Sequence, residues 1–273
     1  MRAKLLIAIS LASIPLLAQP EKTAWDVLRN GLSENNPERR RQAVTAIGSI
    51  GLDNDIVQLV EGALRDSDSL VRQTAAATLG QMKARQSIPA LKTAMNDEWP
   101  EVAFASAKAL WDMGDRSGLQ LIEDVLAGQQ KSNEGGVKGA MRDAKRKMRD
   151  PKAVTVLGLK EASGLLLGPF NIGVIAAEQV FKDGATAGRI LATIVLSQDC
   201  DAESIRLLEW STINDKNWAV KAAAARALGQ CGNRDAIPTL EQNLSDSNEA
   251  IKCMAAGAII RLSRKESQPP NTR

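Results

Sequence analysis

A repeat of 31 to 32 residues constrains the fold more than any other feature of this 273-residue sequence. Four segments align without gaps, at 67–83, 98–114, 216–232 and 247–263. A first apolar column holds Val71, Val102, Val220 and Ile251, and a second, eight residues later, holds Leu79, Leu110, Leu228 and Ile259. Such self-similarity is typical of proteins built from stacked helical units.

Each unit predicts a pair of helices. The aligned segments place apolar residues at helical steps within alanine-rich sequence, and alanine is the best helix former. A short turn follows, and then apolar residues recur at steps of three and four, as in Ile237, Leu240 and Leu244. Two short helices cannot bury their apolar faces alone, whereas stacked pairs share a core. The predicted fold class is therefore an all-α solenoid.

The repeat motif resembles a known family. It reads D-x-x-x-V-R/K-x-x-A-A-x-A-L-G and is followed by A-I-P-x-L, as in residues 236–244. This pattern resembles the HEAT repeat family, in particular the short HEAT-like repeats of the phycobilisome (PBS) lyase type, over residues 35–126 and 201–263. The resemblance implies a right-handed α-solenoid (α-α superhelix) of about seven helix pairs. Ankyrin and tetratricopeptide repeats fit less well, because the chain contains no His and no Tyr.

The two ends of the chain depart from the repeat. Residues 1–18 combine the cations Arg2 and Lys4 with an uncharged apolar run, which predicts a secretory signal peptide, although an uncleaved helix remains an alternative. Within the predicted N-terminal repeat block, 19–126, residues 24–34 match a second helix without a first, and we expect them to cap the N-terminal end. Residues 264–273 are polar and Pro-rich and predict a disordered tail.

Removal of the signal peptide changes the charge. It leaves 33 Lys and Arg against 32 Asp and Glu, a net charge of about +1, which argues against a nucleic-acid partner. The chain has three Cys, an odd number for an exported protein. Cys200 lies one column beyond Cys231 in the preceding unit, and stacked helices are about 8–10 Å apart, so a disulfide between them is possible. A buried thiol at Cys231 is the alternative.

The repeat is interrupted between residues 127 and 152. A loop at 127–136 precedes an amphipathic helix predicted at 137–150. Its polar faces carry the candidate contact residues Lys138, Arg142, Lys145, Arg146 and Arg149. This helix is either a solvated element that closes the N-terminal stack or a site for an acidic partner or an anionic membrane surface.

The region 153–263 begins with a degenerate repeat and then returns to regular repeats, which predicts a continuous solenoid. No charged residue lies between Glu161 and Glu178, but glycines and a proline interrupt this stretch, which disfavours a membrane-spanning helix. Phe170 lies in the apolar turn 168–173. The apolar segment 162–177 either folds back into the solenoid or forms a contact patch for a partner or membrane.

Three tryptophans are candidate contact residues. Trp111 occupies the column of Gly48, Gly80 and Gly229, where a bulky indole must project outward or distort the stack. Trp99 and Trp218 lie at turns between units. Core filling or capping is the alternative role for each.

The absence of His excludes a Ser-His-Asp triad and a His-ligated metal within this chain. It also excludes the His-Glu iron site of the HEAT-repeat hydroxylases that the fold resembles. The carboxylates form no converging set, so the sequence predicts no catalytic residue, cofactor or metal site. We expect an exported scaffold that binds another protein on the concave surface of its second helices. A membrane-surface adaptor and a lyase-like enzyme are the alternatives.

Overall fold

The computed structural model describes residues 18–126 and 184–264. These two ranges contain α-helices and short 3₁₀ turns, with no strand among the described residues. The α-helices are α1 (Ala18–Leu32), α2 (Pro37–Gly48), α3 (Asn54–Gly62), α4 (Ser69–Met82), α5 (Ile88–Ala94), α6 (Pro100–Asp112), α7 (Leu119–Leu126), α8 (Gly184–Asp199), α9 (Ala202–Asn214), α10 (Trp218–Cys231), α11 (Ile237–Asn243) and α12 (Glu249–Arg264). The predicted signal sequence up to residue 17, the basic helix 137–150, Phe170 and the segment 162–177 lie outside the described residues.

Local sequence explains where these helices begin and end. The Asp68 side chain accepts hydrogen bonds from the amides of Leu70 and Val71 at the start of α4, and Asn217 does the same for Ala219 in α10. Such caps satisfy amides that have no partner inside the helix. Gly232 ends α10 with φ 79°, in the left-handed region. The prediction of paired helices at this period is confirmed for the described units.

The helices form two layers. The even-numbered helices pack side by side in the spatial order α8, α10, α12, α2, α4, α6, and the odd-numbered helices pack against them. Close approach within the even layer requires glycine. A Cβ atom on Gly80 would lie 2.8 Å from the Cβ of Ala109, and one on Gly229 would lie 2.8 Å from that of Ala258. The described residues therefore form an all-helical solenoid of six helix pairs.

One pair is assembled from the two ends of the chain. The last described helix, α12, packs against the first described helix, α1, and against α2. Leu28 of α1 and Ile259 and Ile260 of α12 are fully buried. The expectation that residues 24–34 cap the N-terminal end is therefore wrong, because α1 lies inside the array. The physical reason is that α1 is a second helix without a first and α12 is a first helix without a second, so each buries the apolar face of the other.

Polar contacts at the end of α12 fix this composite pair. The Arg264 guanidinium donates to Asp53 and to Asp55 beside the start of α3, and it lies 5.2 Å from the centre of the Trp25 ring of α1. The hydrogen bond from Arg264 lowers the pKa of Asp55. One turn earlier, Arg261 donates to the carbonyls of Ser49 and Ile50, which directly follow α2. The C-terminal helix is thus bonded to three helices from the N-terminal half.

A ladder of ion pairs joins each of several units to the turn that leads out of it. In four units a cation of the even helix pairs with an Asp in the turn after the odd helix of the same unit. The pairs are Arg40–Asp66 (2.7 Å), Arg72–Asp97 (2.7 Å), Arg189–Asp215 (3.1 Å) and Lys221–Asp246 (3.5 Å). Burial raises the pKa of Asp66, but hydrogen bonds from Arg40 and the Asp68 amide outweigh it and keep that pKa below its ordinary value. Ala103 takes the equivalent position in α6, so the ladder ends there.

A disulfide between Cys200 and Cys231 joins the α8–α9 pair to α10, with 5.3 Å between the Cα atoms. Cys200 follows α8 with φ 55°, at the position that Gly232 occupies one unit later. A non-glycine residue in this conformation costs roughly 1–2 kcal/mol. The disulfide therefore places a side chain where the repeat favours glycine. The third cysteine, Cys253, is a buried thiol, and burial raises its pKa to about 12.

Arg264→Ala should lower the free energy of unfolding by about 1–3 kcal/mol, because it removes two ion pairs and a cation–π contact. Arg206→Ala is the matched control, since Arg206 only approaches the exposed Glu203 at 3.9 Å; a change within about 0.5 kcal/mol is expected. The pKa of Asp55 is lowered in the folded state. The stability that ionised Asp55 contributes is thus fully present above its unfolded pKa of about 3.9. It is lost as the pH falls through the lower pKa of the folded state.

Urea unfolding at neutral pH and in acid measures both effects. The difference between the wild type and the Arg264→Ala variant should shrink in acid. Equal losses in the Arg264 and Arg206 variants would contradict the proposed junction.

Replacement of both Cys200 and Cys231 by Ser should lower the free energy of unfolding by about 3–4 kcal/mol, since the disulfide closes a loop with a separation of 31 residues. In that background, Gly at position 200 should be more stable than Ala by roughly 1 kcal/mol, because only Gly adopts positive φ without strain. Thermal unfolding with and without a thiol reductant tests this. A wild-type midpoint that the reductant leaves unmoved would rule out the disulfide.

Candidate partner-binding surface

The structure does not bring the three candidate tryptophans together. Trp99 precedes α6 and Trp111 lies near its end, so they are about 18 Å apart along the helix; their residues are 41% and 45% exposed. Trp218 begins α10 and is half-buried against the core. These residues are therefore separate contact candidates and form no shared patch.

Trp111 lies where the even layer ends. Gly48, Gly80 and Gly229 contact the next even helix in space, but α6 has no such neighbour among the described residues. The indole is accordingly exposed, and the Arg116 guanidinium lies 5.4 Å from the ring centre. Trp111 is compatible with the stack because no described helix packs against it.

An exposed apolar stripe on α9 was not identified from the sequence. Leu207, Trp210 and Ile213 follow one another at steps of three residues and are 45%, 60% and 36% exposed. The opposite face of α9, formed by Ser204, Leu208 and Thr212, is buried where α9 packs against α10 and α11. We call these three exposed residues the α9 stripe.

The α9 stripe is visible in the sequence when equivalent positions of neighbouring units are compared. Thirty-two residues later, α11 and its following turn carry Thr239, Gln242 and Ser245 at the equivalent positions. These three positions are apolar in the α8–α9 unit and polar in the α10–α11 unit. An apolar residue on a face that the repeat leaves to solvent indicates a contact surface.

The adjacent helix α8 adds to this apolar end of the array. Leu191 and Val195 are 57% and 64% exposed, whereas Ile190 and Thr193 are buried where α8 packs against α10. Val195 occupies the same repeat column as Ala109 of α6. Ala109 lies against Gly80 of α4, the even helix that precedes α6. Leu191 and Val195 therefore lie on the face where a preceding unit would pack.

The described residues include a small cavity and an open groove. They include no group of three or more side chains placed to hold a metal ion. The cavity between α8 and α10, beside Thr193 and Arg226, has a volume of about 20 Å³, the size of a single water. An open polar groove beside Glu34, Arg40 and Asp68 lies among the turns. No helix in the described ranges is long and apolar enough to span a membrane.

The remaining candidates cannot be located on this surface. Lys138, Arg142, Lys145, Arg146, Arg149 and Phe170 all lie outside the described residues. Cys200 and Cys231 lie at the ends of α8 and α10, where their disulfide holds the unit that carries the α9 stripe.

A known family model matches the repeated segments of this chain. The model of HEAT repeats matches residues 56–133 and 177–270. A comparison with curated protein sequences gives no match.

Two solved structures show weak similarity. Human deoxyhypusine hydroxylase in complex with glycerol is 18% identical with a TM-score of 0.34, and the match covers 90% of this chain and 98% of that one. An engineered protein is 16% identical with a TM-score of 0.27, over 90% of this chain and 96% of that one. At these TM-scores neither similarity bears on function.

The matched ranges together span more than half of the chain, and one of them falls in each of the two repeat blocks. This chain belongs to the HEAT repeat family.

Proposed function

We propose that the chain is an exported, non-catalytic scaffold that binds another protein on its odd-numbered helices. HEAT repeats commonly mediate protein–protein interaction. The observation that carries the proposal is the α9 stripe, which exposes Trp210 on a face that the neighbouring unit leaves polar. Interfaces obtain most of their binding energy from a few aromatic and arginine anchors.

Export is supported by two independent features. Residues 1–18 have the charged, apolar and small-residue order of a secretory signal. The Cys200–Cys231 disulfide is typical of proteins in oxidising compartments such as the periplasm or the extracellular space. The proposed fold is a right-handed solenoid of about seven pairs of the PBS lyase type. Six of these pairs lie in the described residues, and the seventh is predicted within residues 153–183.

Photo-crosslinking tests the proposed surface. A benzophenone amino acid at position 210 should form a covalent adduct with a partner in cells, whereas the same group at position 99 should not. Position 99 is the matched control because Trp99 is also an exposed tryptophan. Equal adducts at both positions, or none at 210, would overturn the assignment of the odd-numbered helices as the binding layer.

Trp210→Ala should weaken binding of the captured partner by at least about 30-fold, the effect of an interface anchor worth about 2 kcal/mol. The free energy of unfolding should change by less than about 0.5 kcal/mol, because the side chain is exposed. Calorimetric titration and urea unfolding measure the two quantities. A fall in stability with unchanged affinity would show that Trp210 is structural.

The membrane-surface adaptor is the second candidate, and it depends on the cations of 137–150 and the apolar segment 162–177. Flotation with anionic vesicles separates it from the scaffold. Binding that survives Trp210→Ala but fails when Lys145 and Arg146 become Glu would favour the adaptor.

A further inference from the structure

The two helix layers carry opposite charge. The odd-numbered helices contain nine Asp and Glu and four Lys and Arg, a net charge of −5. The even-numbered helices contain five Asp and Glu and eleven Lys and Arg, a net charge of +6. The near-neutral total therefore hides a marked asymmetry between the two faces of the solenoid.

Ion pairs neutralise one layer more than the other. Four of the even-layer cations are bonded to aspartates of the turns in the ladder described above. On the odd layer, Asp26, Glu123 and Glu241 are exposed and form no ion pair within the described ranges. Exposed carboxylates that form no ion pair produce a field that extends over about 8–10 Å at physiological salt. At Asp26 the exposed cations Lys22 and Arg29, one turn away on either side, offset part of this field.

The unpaired carboxylates lie on the same layer as the α9 stripe. Glu241 is on α11, which packs against α9, and Asp26 is on α1, which follows in the spatial order. With helices spaced by about 8–10 Å, Glu241 and Asp26 lie within about two helix widths of the α9 stripe, whereas Glu123 on α7 lies at the far end of the layer. One extended segment can therefore contact the stripe and the carboxylates together.

We infer that the bound partner contributes a Lys- and Arg-rich polypeptide segment with apolar side chains, which lies across the odd-numbered helices with its apolar residues on the α9 stripe. This inference rests on the proposed function and specifies the chemistry of the partner. The acidic layer attracts a cationic segment from a distance, and the Trp210 face binds alkyl stems and guanidinium groups. An acidic segment would be repelled by the same carboxylates.

A pair of synthetic peptides tests the charge of the partner. One consists of lysine, leucine and alanine, and the other has glutamate in place of each lysine. The lysine peptide should bind the full chain at about 0.01 M salt and about tenfold more weakly at about 0.15 M, because the screening length falls from about 30 Å to about 8 Å. The glutamate peptide should not bind. Equal binding of both peptides would overturn the inference.

Charge-reversal variants locate the site. The double variant D26K/E241K should weaken binding of the lysine peptide by at least fivefold, and W210A by about tenfold. The control E98K/E101K makes the same change in net charge at the start of α6 and should leave binding unchanged. An equal loss in the control would show that net charge alone is responsible.

The crosslinking experiment separates failure of the proposed binding surface from failure of the inferred cationic partner. An acidic partner captured at position 210 would overturn the inference of a cationic segment and leave the proposed function intact. A lysine peptide that binds while position 210 captures no protein would contradict the proposed function. Capture of the chain's own residues 138–149, or of a second copy, would assign the surface to this chain and overturn the inference of a separate partner.

Discussion

The packing of α12 against α1 determines the arrangement of the whole molecule. Each of these helices lacks its partner in the adjacent sequence, and each would otherwise expose an apolar face. Their association joins the two repeat blocks into one array, so that α7 and α8, which frame residues 127–183 in the chain, belong to pairs at opposite ends of the described stack. The chain order of the units therefore differs from their spatial order, and the unit formed last during synthesis lies in the middle.

The glycine column and the ion-pair ladder both change at α6, the last even helix of the described stack. The even helices approach closely through Gly48, Gly80 and Gly229, and their cations pair with aspartates in the following turns. In α6 a tryptophan replaces the glycine and Ala103 replaces the cation. Both changes remove a contact with a further unit of the same geometry. The internal helix α12 also departs from both columns, with Ile260 in the glycine column and Lys252 bonded to Glu249, and it approaches α2 through Gly257 instead.

The sequence predicted the units, their helices and the assignment of α1 as a second helix, because these depend on local periodicity and capping. It could not predict which helix completes α1, since an apolar face of the right length fits any first helix of the same repeat. The α9 stripe was missed for a different reason. The core column of α9, at Leu208, does not reveal it, because Trp210 is unusual only beside the polar Gln242 of the next unit. Contact surfaces on a repeat protein therefore require comparison of the outward columns as well.

The disulfide stabilises the same helix pair that carries the α9 stripe. The α8–α9 pair has a described neighbour on one side only, so it has fewer packing contacts than an internal pair. Cys200 adopts a left-handed conformation that costs roughly 1–2 kcal/mol, yet its bond to Cys231 ties this pair to α10. The same pair carries the α9 stripe. A binding surface loses less entropy when its supporting helices are already fixed, so a covalent tie at this end preorganises the helix that exposes Trp210.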